Sequence, residues 1–451
     1  MKVDPSIFKA YDIRGIYPTD IDEKIAYQIG QAYVAVTKPA KEVLVGHDVR
    51  IHSQNLKKGL VEGITDAGIN VVDVGWMSTD MLYFGVGTYQ TAGGVQVTAS
   101  HNPPEWHGMK TVREGVVPMT LGSGIGEMRD FVATNEKLSA PKKGVVRIYK
   151  NIVADYAKFL LTWIDTTKIK PMTVVYNPNF GFAGLIFEKI VELGKLPLKL
   201  IPLNDTPDGN FPKGRPDPFI PENRVELVDL VKSTGADLGI AWDADADRVF
   251  FCADGGLFAE PYYLNTILIK QMLIKHPGEK IIYDPRYTWA LIDAIKDNGG
   301  VPIISKVGHS YIKEKMRAEN ALFATESSGH TYYRDYWYSD CGMLPVLQVL
   351  EYMSASSQKL SDVTKKVMDK YIISGEINNQ VVNSQAKIEE IKNKYQDAQI
   401  STLDGISVEY PEYRFTVRSS NTEPLLRLTL EAKSQKLMEE KRDEVLSLIK
   451  G

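Results

Sequence analysis

Short apolar runs alternate with longer amphipathic stretches over most of the chain. The β-branched runs, which are typical of buried strands, lie at residues 43–46, 71–74, 95–97, 173–176, 197–201, 238–241, 281–283 and 301–305. The stretches with helical spacing lie at residues 21–36, 55–68, 184–193, 224–234 and 288–298. Because strands separated by crossover helices pair mainly in parallel, this pattern predicts α/β layers in three successive segments.

The C-terminal part of the chain has a different pattern. Residues 414–417 and 426–430 alternate apolar and polar positions with a period of two, as half-buried antiparallel strands do, and residues 435–449 form a charged amphipathic helix. A chain of 451 residues exceeds what one hydrophobic core supports, so roughly three or four domains are expected. The predicted domains are residues 1–144, 145–253, 254–361 and 362–451. The fold class is therefore predicted as α/β with a C-terminal α+β domain.

Composition and charge exclude several classes of protein. The formal net charge is -4, and no concentrated basic stripe of the kind needed to bind nucleic acid is present. Two cysteines, Cys252 and Cys341, cannot form a disulfide framework and indicate a reducing compartment. We find neither a signal peptide nor the ~20-residue apolar run that a membrane span requires. We expect a cytoplasmic protein with no membrane or nucleic-acid partner.

Residues 98–103 (TASHNP) follow the predicted strand at residues 95–97. Ser100 and His101 stand side by side at the end of this strand, where a hydroxyl and an imidazole can form a nucleophilic site. An Asn-Pro turn with a capping hydroxyl is the alternative. The segment is not a nucleophile elbow, because glycines do not flank the serine.

Residues 243–248 (DADADR) place three carboxylates at alternate positions after the strand at residues 238–241. Their mutual repulsion is relieved by a divalent cation, and hard oxygen ligands select magnesium or calcium. An EF-hand is excluded because Arg248 stands at the loop position that requires glycine, and Asp254 stands where a bidentate Glu is needed. A solvated acidic loop without metal is the remaining alternative.

Two further loops carry polar side chains suited to sugar and phosphate. Residues 326–330 (ESSGH) combine a carboxylate, hydroxyls and an imidazole, although an ordinary polar turn would look similar. Residues 418–424 (RSSNTEP), with Arg427 beyond, offer two guanidinium groups together with hydroxyl and amide donors, which match phosphate oxygens. A helix capping box is the alternative for this last loop, but strand-like alternation follows it.

Taken together and in this order, these loops resemble those of the α-D-phosphohexomutase superfamily, most closely the phosphomannomutase/phosphoglucomutase group. Further matches are residues 8–15 (FKAYDIRG), 216–218 (PDP), 221–223 (PEN) and 306–309 (KVGH). The resemblance covers essentially the whole chain. It implies three similar α/β domains with mixed sheets plus a C-terminal α+β domain around a central cleft.

The resemblance also implies an activity and its residues. The enzyme would be an isomerase that interconverts hexose 6-phosphate and hexose 1-phosphate, with glucose or mannose as the sugar, through a phosphoserine and a hexose 1,6-bisphosphate that also serves as activator. Ser100 would carry the phosphoryl group, and its phosphate would help to hold Mg²⁺ together with Asp243, Asp245 and Asp247. The implied substrate-binding residues are Tyr11, Arg286, Glu326, Ser328, Arg418, Ser420, Asn421, Thr422 and Arg427. The candidates for proton transfer or charge stabilisation are Arg14, His101, Lys110, Arg248, His309 and His330.

Several positions depart from the pattern of the family. They are His107 where Asn is usual, Arg286 where Lys is usual, Thr325 where Gly is usual, Ser327 where Met is usual, and Cys341 where Asp is usual. These departures leave the choice between glucose and mannose open. A phosphoglucosamine mutase, a metal-dependent sugar phosphatase and a binding protein that has lost activity are the competing hypotheses. The oligomeric state is not predicted.

Overall fold

The computed structural model describes residues 3–419 and 425–450. The chain forms two compact units. The first runs through Phe258 and also includes Gly329–Ser357, and the second comprises Ala259–Ser328 and the chain from Gln358 onward. Among the described residues, no helix is both long and apolar enough to cross a membrane.

The first segment of the chain forms a mixed sheet covered by helices. Its strands are β1 (Ile13–Ile16), β2 (Val43–His47), β3 (Val71–Trp76), β4 (Gly93–Val97), β5 (Trp106–Arg113), β6 (Val117–Pro118) and β7 (Val146–Ile148). Its helices are α1 (Glu23–Thr37), α2 (Ser53–Asp66), α3 (Thr79–Tyr89) and α4 (Gly126–Thr134). The strand order is β1-β5-β4-β2-β3-β7, with β6 on β5. Strands β4, β2, β3 and β7 are parallel, whereas β5 is antiparallel to β1 and β4.

Helices α1 and α2 lie against each other at very short range. Helix α1 begins after Asp22, whose side chain accepts a hydrogen bond from the Ile25 N–H and so caps the helix. Glycine is required on the facing side of α2, because a Cβ added at Gly63 would lie 2.2 Å from the Tyr27 carbonyl oxygen. The close approach of the two helices is therefore set by the sequence of α2.

The second segment repeats the arrangement. Its strands are β8 (Met172–Asn177), β9 (Leu198–Pro202), β10 (Leu238–Trp242), β11 (Val249–Ala253) and β12 (Leu257–Ala259), in the order β12-β11-β10-β8-β9. Its helices are α5 (Ile152–Leu161), α6 (Ala183–Gly194) and α7 (Val225–Thr234). Strand β10 is parallel to β8 and antiparallel to β11, so the loop between β10 and β11 is a reversal of chain direction.

The third segment contains helices α8 (Pro261–Lys275), α9 (Trp289–Asp297) and α10 (His309–Glu319) and strands β13 (Lys280–Tyr283), β14 (Val301–Ile304) and β15 (Phe323–Thr325). Strand β13 is parallel to both β14 and β15. The chain then returns to the first unit with an antiparallel pair, β16 (Thr331–Tyr333) and β17 (Ser339–Asp340), and helix α11 (Leu344–Ser356).

The last segment is an antiparallel sheet with helices. Its strands are β18 (Ile372–Ile373), β19 (Ile377–Gln380), β20 (Gln399–Ser401), β21 (Ile406–Glu409), β22 (Tyr413–Ser419) and β23 (Leu425–Ala432). Its helices are α12 (Leu360–Lys370), α13 (Ser384–Lys394) and α14 (Gln435–Lys450). The strand order is β18-β23-β22-β21-β20, with β19 also on β23.

The predicted fold class is confirmed, with three α/β segments followed by an α+β segment. Each helix and strand predicted from the apolar pattern is present, and its ends lie within two residues of the predicted ones. The three predicted boundaries between the four domains stay a prediction.

Candidate active site

Ser100 lies in the loop between β4 and β5, in a conformation that serine seldom adopts. Its φ angle is 52°, in the left-handed region, which costs a non-glycine residue about 1–3 kcal/mol. The Ser100 N–H donates to Thr98 Oγ1 at 2.9 Å, and Ser100 Oγ lies 3.0 Å from His101 Nδ1. Such strain persists only where the surroundings fix the loop, and it is common at functional sites.

Arg50 fixes this loop from beneath. Its guanidinium is fully buried and donates at 2.6–3.0 Å to four carbonyl oxygens, those of Ser100, Asn102, Pro103 and Trp106. Burial lowers the pKa of Arg50, although the ion pair with Asp48 opposes that shift. Arg50 was not predicted as a site residue, because its partners are backbone atoms and it belongs to no sequence motif.

Arg14 holds the same loop from β1. Its Nη1 donates to Asn102 Oδ1 at 2.6 Å, and its Nε pairs with Asp12 at 2.7 Å. Burial would lower the pKa of Arg14, but the charge of Asp12 outweighs it and the net shift is upward. Tyr11 lies in the turn just before β1, which the Lys9 N–H closes by donating to the Asp12 carbonyl oxygen.

The three aspartates of the loop between β10 and β11 lie together in the same unit. Asp243, Asp245 and Asp247 are all buried, and they can each direct one carboxylate oxygen so that these atoms lie within 4.8 Å of one another. Ser100 Oγ donates to Asp243 Oδ2 at 3.4 Å. The structure thus brings the predicted nucleophile and the predicted metal ligands into one place.

Lys110, on β5, reaches two of these carboxylates. Its Nζ lies 2.7 Å from Asp245 Oδ2 and 2.5 Å from Asp247 Oδ2. Burial alone would lower the pKa of Lys110, but the adjacent carboxylates reverse the effect and raise it. Thr79, the first residue of α3, also donates to Asp245 Oδ2 at 2.6 Å and was not predicted.

Arg248 supplies a second buried cation. Its Nε donates to Asp243 Oδ2 at 2.9 Å, and its Nη1 lies 3.3 Å from Asp217 Oδ1. Asp217 also pairs with Arg215, whose Nε donates to the His101 carbonyl oxygen at 3.1 Å. Burial raises the pKa of Asp243 well above its usual range in spite of Arg248.

Two histidines border the aspartates. Burial, followed by the charge of Arg248, lowers the pKa of His101 well below its usual range, so its imidazole is neutral. His330 Nε2 lies 3.5 Å from Asp247 Oδ1. Asp340 lies nearby, and one ligand atom from each of Asp247, His330 and Asp340 lies within 4.8 Å of the other two. Burial would raise the pKa of Asp247, but Lys110 outweighs it and the pKa falls well below its usual range.

The donor set of this loop suits a divalent cation. Asp245 Oδ1 is a buried carboxylate oxygen that has no hydrogen-bond partner among residues 3–419 and 425–450. A buried anionic oxygen without a donor is costly unless a cation approaches it. Carboxylate oxygens are hard ligands, so the residues present fit magnesium. A strand, β11, follows the loop, whereas an EF-hand requires a second helix at this place.

The second unit holds the predicted sugar-binding residues. Arg286 is buried and pairs with Asp284 at 2.8 Å and with Glu326 at 3.4 Å. Burial would lower the pKa of Arg286, but Asp284 outweighs it and the net shift is upward. Asp284 also accepts a hydrogen bond from the Ser327 N–H at 2.7 Å, so it ties Arg286 to the loop after β15. Ser328, next in this loop, is half-buried.

His309 and the two predicted phosphate-binding arginines also belong to the second unit. His309 is the first residue of α10, and Gly308 before it donates its N–H to Glu326 Oε1 at 3.2 Å. Arg418 ends β22 and Arg427 lies on β23. Ser420, Asn421 and Thr422 lie outside the described residues.

Comparison with known proteins identifies relatives for the whole chain. Four family models match the chain, and all four describe domains of phosphoglucomutase/phosphomannomutase. The α/β/α domain I matches residues 5–121, domain II matches 154–256, domain III matches 260–371, and the C-terminal domain matches 376–448. The chain is 42% identical over 457 residues to a phosphomannomutase of Vibrio cholerae, with 98% of each chain covered.

Two further comparisons agree with this. The chain is 41% identical over 447 residues to a protein of Xanthomonas campestris described as phosphohexose mutases, with 98% of this chain and 99% of that one covered. A solved structure of a phosphoglucomutase/phosphomannomutase family protein from Burkholderia thailandensis has a TM-score of 0.88 at 30% identity. That alignment covers 99% of this chain and 98% of the other.

Proposed function

The chain belongs to the phosphoglucomutase/phosphomannomutase family, and from this we propose that it interconverts hexose 6-phosphate and hexose 1-phosphate through a phosphorylated Ser100. Members of this family are hexose phosphate mutases, which are isomerases. We propose glucose or mannose as the sugar and a hexose 1,6-bisphosphate as both intermediate and activator.

One observation carries the proposal. Ser100 Oγ lies 3.4 Å from Asp243 Oδ2 and 3.0 Å from His101 Nδ1, on a loop that Arg50 and Arg14 clamp. Phosphoryl transfer needs positioning and charge stabilisation more than covalent help from the protein. The clamped loop would position the serine, and the neighbouring buried cations would stabilise charge on the phosphoryl group.

In the proposed mechanism, each half-reaction moves one phosphoryl group and one proton. When Ser100 is rephosphorylated, the bond between phosphorus and the sugar oxygen breaks and a bond to Ser100 Oγ forms. The proton of the Ser100 hydroxyl must then leave, and His101 Nδ1 is the neighbouring neutral base. The freed sugar oxygen must take up a proton in the same half-reaction, for which His309 and His330 are the proposed donors. Lys110 and Arg248 would stabilise the charge on the moving group.

Magnesium is the proposed cofactor. Asp243, Asp245 and Asp247 would hold it, with an oxygen of phosphorylated Ser100 as a further ligand. When bound, it would neutralise negative charge on the phosphoryl group.

Residues of the second unit would bind the rest of the substrate. We propose that Glu326, Ser328 and Arg286 bind the sugar hydroxyls, with Tyr11 of the first unit as a further contact. The residues proposed for the non-reacting phosphate are Arg418, Ser420, Asn421, Thr422 and Arg427. His309 and His330 are further candidates for proton transfer to and from the sugar.

The experiment is a coupled assay of the pure protein on glucose 1-phosphate, mannose 1-phosphate and glucosamine 1-phosphate, with and without glucose 1,6-bisphosphate. We expect formation of a 6-phosphate from the first or second sugar, stimulated by the bisphosphate. Preference for the glucosamine compound would favour a phosphoglucosamine mutase. Release of inorganic phosphate without isomerisation would favour a phosphatase, and inactivity on all three would contradict the proposal.

A second measurement tests the phosphoserine itself. After incubation with glucose 1,6-bisphosphate, the intact protein should gain the mass of one phosphoryl group, and Ser100→Ala should not. Ser123→Ala is the matched control, since Ser123 lies on an exposed turn of the same segment. Persistent labelling of the Ser100→Ala variant would identify another carrier.

A further inference from the structure

Two arginines face each other on the C-terminal sheet. In the antiparallel pairing of β22 with β23, Arg418 lies directly opposite Arg427. Like charges in this arrangement are destabilising, because their side chains project from the same face of the sheet at short distance. The pair therefore needs an anion, either from the protein or from a ligand.

Glu376 supplies an anion from the protein. It lies just before β19, and its two carboxylate oxygens contact different arginines: Oε2 is 3.2 Å from Arg418 Nη2, and Oε1 is 3.1 Å from Arg427 Nη1. The Glu376 side chain is 5% exposed. A single carboxylate thus bridges both guanidiniums and leaves the three groups with a net charge of one positive unit.

The bridge does not use all the donors of the pair. Arg418 is buried, and its Nε has no hydrogen-bond partner within residues 3–419 and 425–450. A buried cationic donor of this kind is costly unless an acceptor reaches it. The cluster can therefore accept a second anion while Glu376 stays in place.

We propose that Glu376, acting through Arg418 and Arg427, is a positioning residue that weakens their hold on the non-reacting phosphate of the sugar, so that the phosphate can be exchanged during turnover. This inference rests on the proposed function. In that function the bisphosphate presents each of its phosphates to Ser100 in turn, so the phosphate on the arginines must be released in every cycle. Binding that is equally strong in the ground and transition states does not accelerate the reaction.

Removal of the negative charge of Glu376 should tighten the binding of phosphate, which the loss of a purely structural contact would not do. Glu376→Gln keeps the size and the acceptor oxygen but raises the net charge of the cluster from one to two positive units. A phosphate dianion should then bind at least about 5-fold more tightly, since charge-assisted contacts to phosphate strengthen as the competing anion is removed. Turnover should fall, and KM should fall with it.

Binding is measured by calorimetric titration with glucose 1-phosphate in the Ser100→Ala background, which prevents phosphoryl transfer. We compare Ser100→Ala with the double variant that also carries Glu376→Gln, and follow steady-state kinetics of Glu376→Gln alone. Glu412→Gln is the matched control, because Glu412 pairs with Lys433 at the exposed surface of the same segment. This control should bind like its parent.

Unchanged or weaker binding in the double variant would overturn the inference. Glu376→Asp keeps the charge with a shorter side chain and should bind no more tightly than the parent, so tight binding by this variant would also overturn it. The titration measures the effect of Glu376 on phosphate affinity without requiring turnover. The proposed function is judged separately by the coupled assay. A protein that isomerises sugar phosphate but shows no tighter binding in the double variant would contradict only the role of Glu376, whereas a protein that does not isomerise it would contradict the proposed function.

Discussion

Ser100 Oγ and Asp243 Oδ2 lie 3.4 Å apart, although 143 positions separate the two residues in the chain. The loop after β4 carries the serine, and the loop after β10 carries the aspartate. Strand ends from two different sheets therefore build this site. At this distance, a phosphate on Ser100 would interact directly with the aspartates. Variants of either loop should therefore impair phosphoryl transfer to and from Ser100.

Asp245→Asn should lower turnover by at least about 100-fold while the protein stays folded. The substitution keeps the shape of the side chain but removes a charge that we propose to hold magnesium. Loss of one preorganised contact that stabilises transition-state charge typically costs about this much in turnover. EDTA should abolish wild-type turnover, and added Mg²⁺ should restore it. The measurement is the coupled assay together with circular dichroism.

The control for this variant is Asp229→Asn, because Asp229 is an exposed carboxylate on α7. It should behave like wild type. Wild-type turnover of Asp245→Asn in EDTA would contradict the metal assignment.

Lys110→Met should destabilise the metal-free protein by roughly 3 kcal/mol, since it leaves two buried carboxylates without their cation. Mg²⁺ should then stabilise the variant more than it stabilises wild type, because the metal neutralises the same carboxylates. Urea unfolding in EDTA and in Mg²⁺ measures both effects. An equal gain from Mg²⁺ in the two proteins would show that Lys110 and the metal act independently.

Lys57→Met is the matched control for the lysine. Lys57 is also a partly buried lysine, and its Nζ lies 2.7 Å from one oxygen of Asp73, away from the aspartate loop. The loss of this ion pair should destabilise the protein, but Mg²⁺ should not compensate for it.

The predicted elements are present because their buried faces are regular, but only six of the fourteen helices within residues 3–419 and 425–450 were predicted. Strand β10 is buried at every position and appears in the sequence as an uninterrupted apolar run. Strand β22 alternates apolar and polar residues as predicted, but it is buried at six of its seven positions rather than half-buried. Its polar face is covered because Arg414 donates to the carbonyl oxygens of Pro285 and Arg286. Helix α8 was not predicted. It is buried on most sides, from Pro261 to Leu273, so no polar stripe marks its period.

The site also contains residues that a sequence pattern reveals and residues that it does not. Ser100 and the three aspartates could be predicted because they stand in short segments of unusual composition. Arg50, Thr79 and Glu376 could not, because each is a single polar residue in an ordinary segment. Their importance arises from long-range contacts, such as the hydrogen bond from Arg50 to the Ser100 carbonyl oxygen, that only the folded chain brings about.

Arg50→Lys should slow phosphorylation of Ser100 by about 10-fold or more. A lysine keeps the charge, but it cannot donate to four carbonyl oxygens in the fixed geometry of a guanidinium, so the strained serine loop should relax. The rate is measured from intact-protein mass after mixing with glucose 1,6-bisphosphate. Faster hydrogen exchange of the loop amides should accompany it.

Arg113→Lys is the control for this variant, because Arg113 donates at an exposed site, to the Ser123 carbonyl oxygen. It should label at the wild-type rate. Wild-type labelling of Arg50→Lys, with unchanged exchange, would show that the loop holds its conformation without the clamp.

His107 is the departure from the family pattern whose consequence the structure makes most definite. Its ring is fully buried near Tyr17 and His52, with ring centroids 5.6 Å from each. Burial lowers the pKa of His107 to about 4, whereas an unfolded chain takes up this proton near pH 6.5. Between these two pH values, only the unfolded state binds the proton.

It follows that His107 makes the protein less stable as the pH falls from about 6.5 to about 4, by at most about 3 kcal/mol. His107→Asn, which introduces the residue usual in the family, should remove this part of the pH dependence. Burial raises the pKa of Asp80 to about 7, and its titration acts in the opposite sense, so the test is the difference between the two proteins rather than either slope. Urea unfolding at pH 7.5 and pH 5 should show that the variant loses less stability than wild type on acidification. Equal losses would mean that the buried imidazole is not what makes folding sensitive to acid.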